Sequence, residues 1–190
     1  MTNAQKNEPC GWYGTIQQFL LCPKSEWQNA LAAYQQRRMK SPADEGQKAS
    51  WEHLFEILQK ELKQLVQLKP DLKDYSILFD YELPRSKGKR AEVIILGASV
   101  FILTFREHAQ IVRADIDAAA ALERDLKQHH PKSHRSDVVP ILVLVKAKNL
   151  IRRDGDVIIL SPDHIADYFN VLAELEDGHL IDAYAWTSAK

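Results

Sequence analysis

The sequence predicts an α/β fold: a mixed central β-sheet flanked by helices. Three observations carry this reading. Residues 75–84, 89–96 and 100–106 form three short apolar runs, separated by the polar turn 85–90 and by Gly97-Ala-Ser, as in a β-meander. Residues 113–129 then show a helical period and lead into the apolar run 138–145. A helix between two strands implies that 138–145 lies parallel to 100–105, making the sheet mixed. Ahead of the meander, residues 47–68 place Trp51, Leu54, Phe55, Leu58, Leu62 and Leu65 on one helical face.

The remaining elements follow in order. Ser25 and Gln28 have the spacing of a capping box for a helix reaching Met39, with Trp27, Ala30, Leu31 and Tyr34 on one side. Residues 41–46, with Pro42 and Gly46, break the chain before the long helix. After 138–145, Asp154-Gly155 marks a turn and 157–160 a short strand. Ser161-Pro162 reads as a cap with proline at the first helical position of a helix reaching Glu174. The predicted order is α-α-β-β-β-α-β-β-α. Residues 1–46 are expected to be an N-terminal helical extension packed on the core, with Trp12, Tyr13 and Phe19 buried, and residues 47–190 the main domain.

Composition excludes several classes. The chain has 190 residues, 45% of them hydrophobic and 27% charged, as in ordinary globular proteins. No apolar run approaches the ~18 residues of a membrane span. The first nine residues are polar and lack the apolar core of a signal peptide. Only Cys10 and Cys22 are present, so a disulfide framework is not expected and a cytoplasmic location is. A net charge of −1 gives no global argument for nucleic acid.

The chemistry-bearing positions sit in the meander. Glu92 opens its middle strand, and the next strand closes with Thr104-Phe105-Arg106. With Leu78-Phe-Asp-Tyr-Glu-Leu-Pro-Arg85, Arg90-Ala-Glu-Val-Ile-Ile-Leu96 and Val100–Arg106, this segment resembles the nuclease-like N-terminal domain of bacterial schlafen-like P-loop ATPases, in the PD-(D/E)XK superfamily. The helix at 114–130, with Asp125-Leu126, and Ser133 extend the resemblance, as does Trp51 ahead of it, over about residues 47–145. The resemblance implies a restriction-endonuclease-like (PD-(D/E)XK) core. Such enzymes carry an acid on one strand and Glu-x-Lys on the next. Residues i and i+2 of a strand share a face, so the second acid and the lysine can meet the first acid. Two carboxylates then hold Mg²⁺, which activates water, while the lysine helps position it.

This sequence departs from that pattern. The acid is Glu92, the glutamate position holds Thr104, and the lysine position holds Arg106, which cannot give up its proton. Ala118 and Leu122 also stand where the family helix carries Gln and Tyr. The resemblance therefore implies a catalytically degenerate module with no cofactor. It would bind nucleic acid, DNA or RNA, or a partner protein, and act in phage defence beside an ATPase or helicase. Arg106 is expected to pair with Glu92 across neighbouring strands. The alternative is a residual Mg²⁺-dependent nuclease in which Glu92, with Glu82 or Glu56, rebuilds the metal site. The family's ATPase region would follow the last residues, so the chain is either an excised domain or a stand-alone relative. A purely structural or oligomerisation domain is a third class.

Charge is unevenly placed. Arg85, Lys87, Lys89 and Arg90 crowd one turn and are the candidate nucleic-acid contacts. Arg124, Lys127, Lys132 and Arg135 form a second cluster, and Lys146, Lys148, Arg152 and Arg153 a third. Basic turns also serve simply to keep sheet ends solvated. His129, His130 and His134 follow a helix end, where cationic histidine is favourable, and lack companions spaced for a metal. Ser99, Ser133 and Ser136 lack a nucleophile elbow, and no Walker motif occurs.

Overall fold

The computed structural model describes residues 9–176 and 178–189; the polar first eight residues lie outside them. A seven-stranded mixed sheet forms the middle layer, in the order β1-β2-β3-β4-β5-β7-β6. Its strands are β1 (Trp12–Thr15), β2 (Ser76–Glu82), β3 (Arg90–Leu96), β4 (Val100–Arg106), β5 (Val138–Leu144), β6 (Ile151–Asp154) and β7 (Val157–Leu160). The meander β2-β3-β4 is antiparallel, and β4 pairs parallel with β5 across the helix α4 (Arg113–His129). This gives the mixed α/β sheet expected, with β4 at its centre.

Two differences from the sequence reading lie at the sheet edges. β1 pairs antiparallel with β2, so the N-terminal segment contributes a strand as well as helices. Its four residues, with a glycine among them, are too few to show alternation. β6 forms a hairpin with β7 through Gly155, whose φ is +58°. Three of its four residues are charged and the strand lies mostly exposed, which hides it from a hydrophobic pattern.

Helices cover both faces. On one lie α1 (Ile16–Leu21), α2 (Lys24–Met39), α3 (Glu45–Leu68) and α5 (Ile165–Leu175), whose apolar residues share a core with Phe79, Val93, Leu103 and Val143. On the other, Leu126 of α4 and Trp186 of α6 (Ala183–Thr187) pack with Leu78, Tyr81, Ile94 and Ile102. β4 keeps strict alternation: Phe101, Leu103 and Phe105 face α3, while Val100 and Ile102 face α4.

Helix starts differ from expectation in three places. The capping box belongs to α1, where Gln18 N donates to Thr15 Oγ1 and Thr15 N donates to Gln18 Oε1. Ser25 caps nothing, because Pro23, with φ fixed near −62°, sets the entry to α2 and the helix has begun before Ser25. Ser161 precedes a 3₁₀ turn, Pro162–His164, and its hydroxyl accepts from Leu150 N rather than capping. Asp44 does cap α3, accepting from Gln47 N at 2.7 Å. Of the three aromatics expected in the core, Phe19 is buried and Trp12 half-buried, whereas Tyr13 is 42% exposed.

Phe79 ties the N-terminal elements to the sheet. Its ring lies 5.0 Å from Phe19, 5.1 Å from Trp27 and 6.0 Å from Trp12. Phe79→Ala is expected to cost about 3–5 kcal/mol, the usual loss for truncating a buried aromatic. Urea denaturation measures it, and a loss below about 1 kcal/mol would show that this cluster does not hold the layers together.

Candidate functional site

The meander opens at one end. The β3–β4 ladder runs from Leu96–Val100 to Val93–Leu103 and stops one residue short of Glu92 and Thr104. At the same level β2 loses its alternation. Asp80 has φ +56°, a left-handed conformation uncommon for a non-glycine residue. Phe79 faces the α3 core, and Tyr81, two residues on, faces the α4 core. β3 switches likewise between Val93 and Ala91. The switch and the gap leave a cavity of about 630 Å³ against the start of α3. Trp51, Leu54, Phe79 and Phe105 are among its apolar walls, and its acids are Asp80, Glu92, Glu107 and Asp44, the last already accepting from Gln47 N as the cap of α3.

Glu92 thus lies where the strands part, with 45% of its side chain open to solvent. Crowding by the cavity walls raises its carboxyl above the ordinary 4.5; Arg106 opposes this, and Asp80 and Glu107 add to it. Water reaching the side chain screens part of these effects.

Thr104 and Arg106 have the parity of the α4 face, away from that cavity. Thr104 is buried. Arg106 does reach Glu92, at 3.4 Å, as expected, but its closer partner is Asp115 in the first turn of α4, with Nε donating to Oδ1 at 3.0 Å. His108 contacts the other oxygen of Asp115 at 2.9 Å. Gln110 N donates to His108 Nδ1, which leaves the proton on Nε2 to be donated to Asp115. An acid in the first turn of a helix is readable in the sequence, but the pairing of Asp115 with Arg106 and His108, nine and seven residues back across a loop, is not.

The other predicted acids lie elsewhere. Glu82 pairs with Arg38 of α2, and Glu56 lies 3.8 Å from Lys24. Neither lines the cavity that holds Glu92. Asp80 and Glu107 take that place, but both are engaged: Asp80 with Arg90 at 2.9 Å and Glu107 with His53 at 3.2 Å. Burial raises the Asp80 carboxyl, against the pull of Arg90. Among the described residues no group of three or more His, Cys, Asp or Glu is arranged to hold a metal ion.

The basic turn divides into two pairs. Lys89 contacts Asp125 of α4 at 2.7 Å, and Arg90 is held by Asp80. Arg85 and Lys87 are exposed and make no ion pair among the described residues. Both have positive φ, and Ser86 Oγ between them donates to Leu83 O at 2.7 Å, so the turn holds them outward. Members of the other two basic clusters, Lys127, Arg135 and Arg153, meet around a second cavity of about 690 Å³, but Glu123, Asp156 and Glu176 line it too.

No protein-family model matches the chain, and no curated protein matches it. No helix among the described residues is long and apolar enough to cross a membrane.

Two measurements test this geometry. A carboxyl whose pKa is higher folded than unfolded binds more protons in the folded state between the two values, so stability falls as pH rises through that window. Glu92→Gln removes this, and its stability relative to the parent should rise between pH 4 and pH 8; a flat or falling difference would contradict the raised pKa. Separately, Arg106→Ala should cost about 1–2 kcal/mol, since its bonds are charged but a third of the side chain is exposed. In double-mutant cycles the Arg106–Asp115 coupling should exceed the Arg106–Glu92 coupling, and the reverse order would refute the assignment of Asp115 as main partner.

Proposed function

We propose that this chain is a catalytically degenerate PD-(D/E)XK-like module that binds nucleic acid without cleaving it. The observation that carries this reading is the fate of the Glu-x-Lys positions. Thr104 supplies no carboxylate, and Arg106 is committed to Asp115 at the start of α4. The order of long helix, antiparallel meander, helix and parallel strand supports a restriction-endonuclease-like core. The family resemblance adds the setting: phage defence, with an ATPase or helicase as partner.

The residual Mg²⁺ nuclease reading draws on one specific observation, that Asp80 and Glu107 join Glu92 around one cavity. The donor set does not fit the ion. Mg²⁺ needs free carboxylate oxygens in near-octahedral array, whereas these acids already face Arg90, His53 and Arg106.

Arg85 and Lys87 are the residues assigned to phosphate contact. They stand where β2 ends and β3 begins, at the end of the sheet where the cavity opens. The test incubates purified protein with plasmid, linear and single-stranded DNA and with RNA, in Mg²⁺ and in Mn²⁺. Binding without cleavage is expected. Arg85→Ala with Lys87→Ala should weaken it for all sequences and make the log–log salt slope shallower by roughly 1.5–2, as for two lost phosphate contacts. Cleavage abolished by Glu92→Gln would overturn the degenerate reading. Absence of binding to every nucleic acid would favour a protein-docking module instead.

A further inference from the structure

The end of the chain ties the two faces of the sheet together. After α5, on the α3 face, Glu176 accepts from Ser99 N at 2.8 Å and from the Tyr75 hydroxyl, and Ile181 N donates to Gly97 O at 2.9 Å. These contacts carry the segment past the β3–β4 turn. It ends with Trp186 fully buried in the α4-face core, although its near neighbour Tyr184 is 74% exposed. Trp186 stacks on His130 with ring centroids 4.1 Å apart and meets Tyr81 at 5.0 Å.

Three polar contacts close a circuit around that stack. Trp186 Nε1 is a donor only, and its partner is Ser133 Oγ at 3.2 Å. Trp186 O is an acceptor only, so His130 Nε2, at 2.9 Å, must carry a proton. Ser133 Oγ lies 3.0 Å from His130 Nδ1 and donates to it when that nitrogen is bare. The circuit is complete with neutral His130. A second proton, on Nδ1, would turn Ser133 Oγ into an acceptor from both rings and leave the serine hydrogen without its acceptor. It would also place a charge in a fully buried site.

The groups facing His130 do not compensate. From β2 comes Tyr81, whose phenol burial keeps protonated. From the loop after α4 come Lys132 and His134, both of a sign that opposes a cation. Among the described residues no carboxylate is ion-paired with His130. Burial lowers the His130 pKa; the bond to the Trp186 carbonyl pulls it back only in part, and His134 and Lys132 add to the lowering.

We propose that the segment around Trp186 is a latch closed by neutral His130 and released by its protonation. A histidine with a depressed folded pKa gives full stability above its unfolded value of about 6.5, and loses it as pH falls through the folded value. Release frees Trp186 and uncovers the Tyr81 side of the α4-face core. This is independent of nucleic-acid binding.

Hydrogen exchange of residues 178–189, corrected for intrinsic rates, tests this between pH 7.5 and 5. Below the unfolded value of about 6.5, opening should increase by up to roughly tenfold per pH unit until the folded His130 pKa is passed. Peptides from β4 should not follow. His130→Gln, folded by circular dichroism, should abolish the pH response, whatever its level of opening. Nitrogen NMR of the parent at pH 7.5 supplies a measurement needing no variant, and should find His130 protonated at Nε2 alone. Exchange of 178–189 independent of pH, a pH response surviving in His130→Gln, or an imidazolium at pH 7.5 would each overturn the latch.

Discussion

The site depends on one backbone event, the left-handed turn of Asp80 within β2. A strand that alternates faithfully presents residues i and i+2 to the same layer, and Phe79 and Tyr81 would then compete for one core. Rotating Asp80 to φ +56° sends them to opposite cores instead. β3 follows at Glu92, directly across, because the two strands remain in register on either side of this pair. The Asp80–Arg90 ion pair spans the irregular stretch. The cavity and the exposure of Glu92 follow from this local loss of alternation.

That irregularity is tolerated because both cores are well anchored beside it. On the α3 side, five aromatic rings (Trp12, Phe19, Trp27, Phe55 and Phe79) touch in edge-on or tilted pairs. Edge-on contacts of this kind add to the burial of apolar area. On the α4 side, Tyr81, His130 and Trp186 form a smaller stack. A side chain on either strand that changed layers would have to leave one of these groups.

The apolar framework was legible in the sequence because it repeats. Leu54, Phe55, Leu58, Leu62 and Leu65 all sit in the α3 core as the helical period requires. The strand at β5 and its parallel pairing with β4 followed from one apolar run and one intervening helix. The site was legible only in part. Period 2 places Thr104 and Arg106 on one face, and Arg106 does touch Glu92. Nothing periodic announces that β2 and β3 switch faces beside it, and this decides which acids surround Glu92. Asp80 and Glu107 therefore had no signal, whereas Glu82, which did look eligible, is held by Arg38. Closures such as Arg106–Asp115, across one loop, or Trp186–Ser133, across β5 to β7 and α5, join residues whose spacing carries no pattern.

The sheet edges bear on how such a molecule meets others. β6 is a short outer strand whose residues are Ile151, Arg152, Arg153 and Asp154, and β1 at the opposite edge is equally short and runs straight into the capped start of α1. Short strands and edge charges are the usual means of preventing another chain from adding itself to a sheet. Recognition by strand addition, common where long bare edges are available, is therefore disfavoured at both sides. The turns and loops at the strand ends, which offer side chains and not a bare row of backbone groups, are then the surfaces open to a partner.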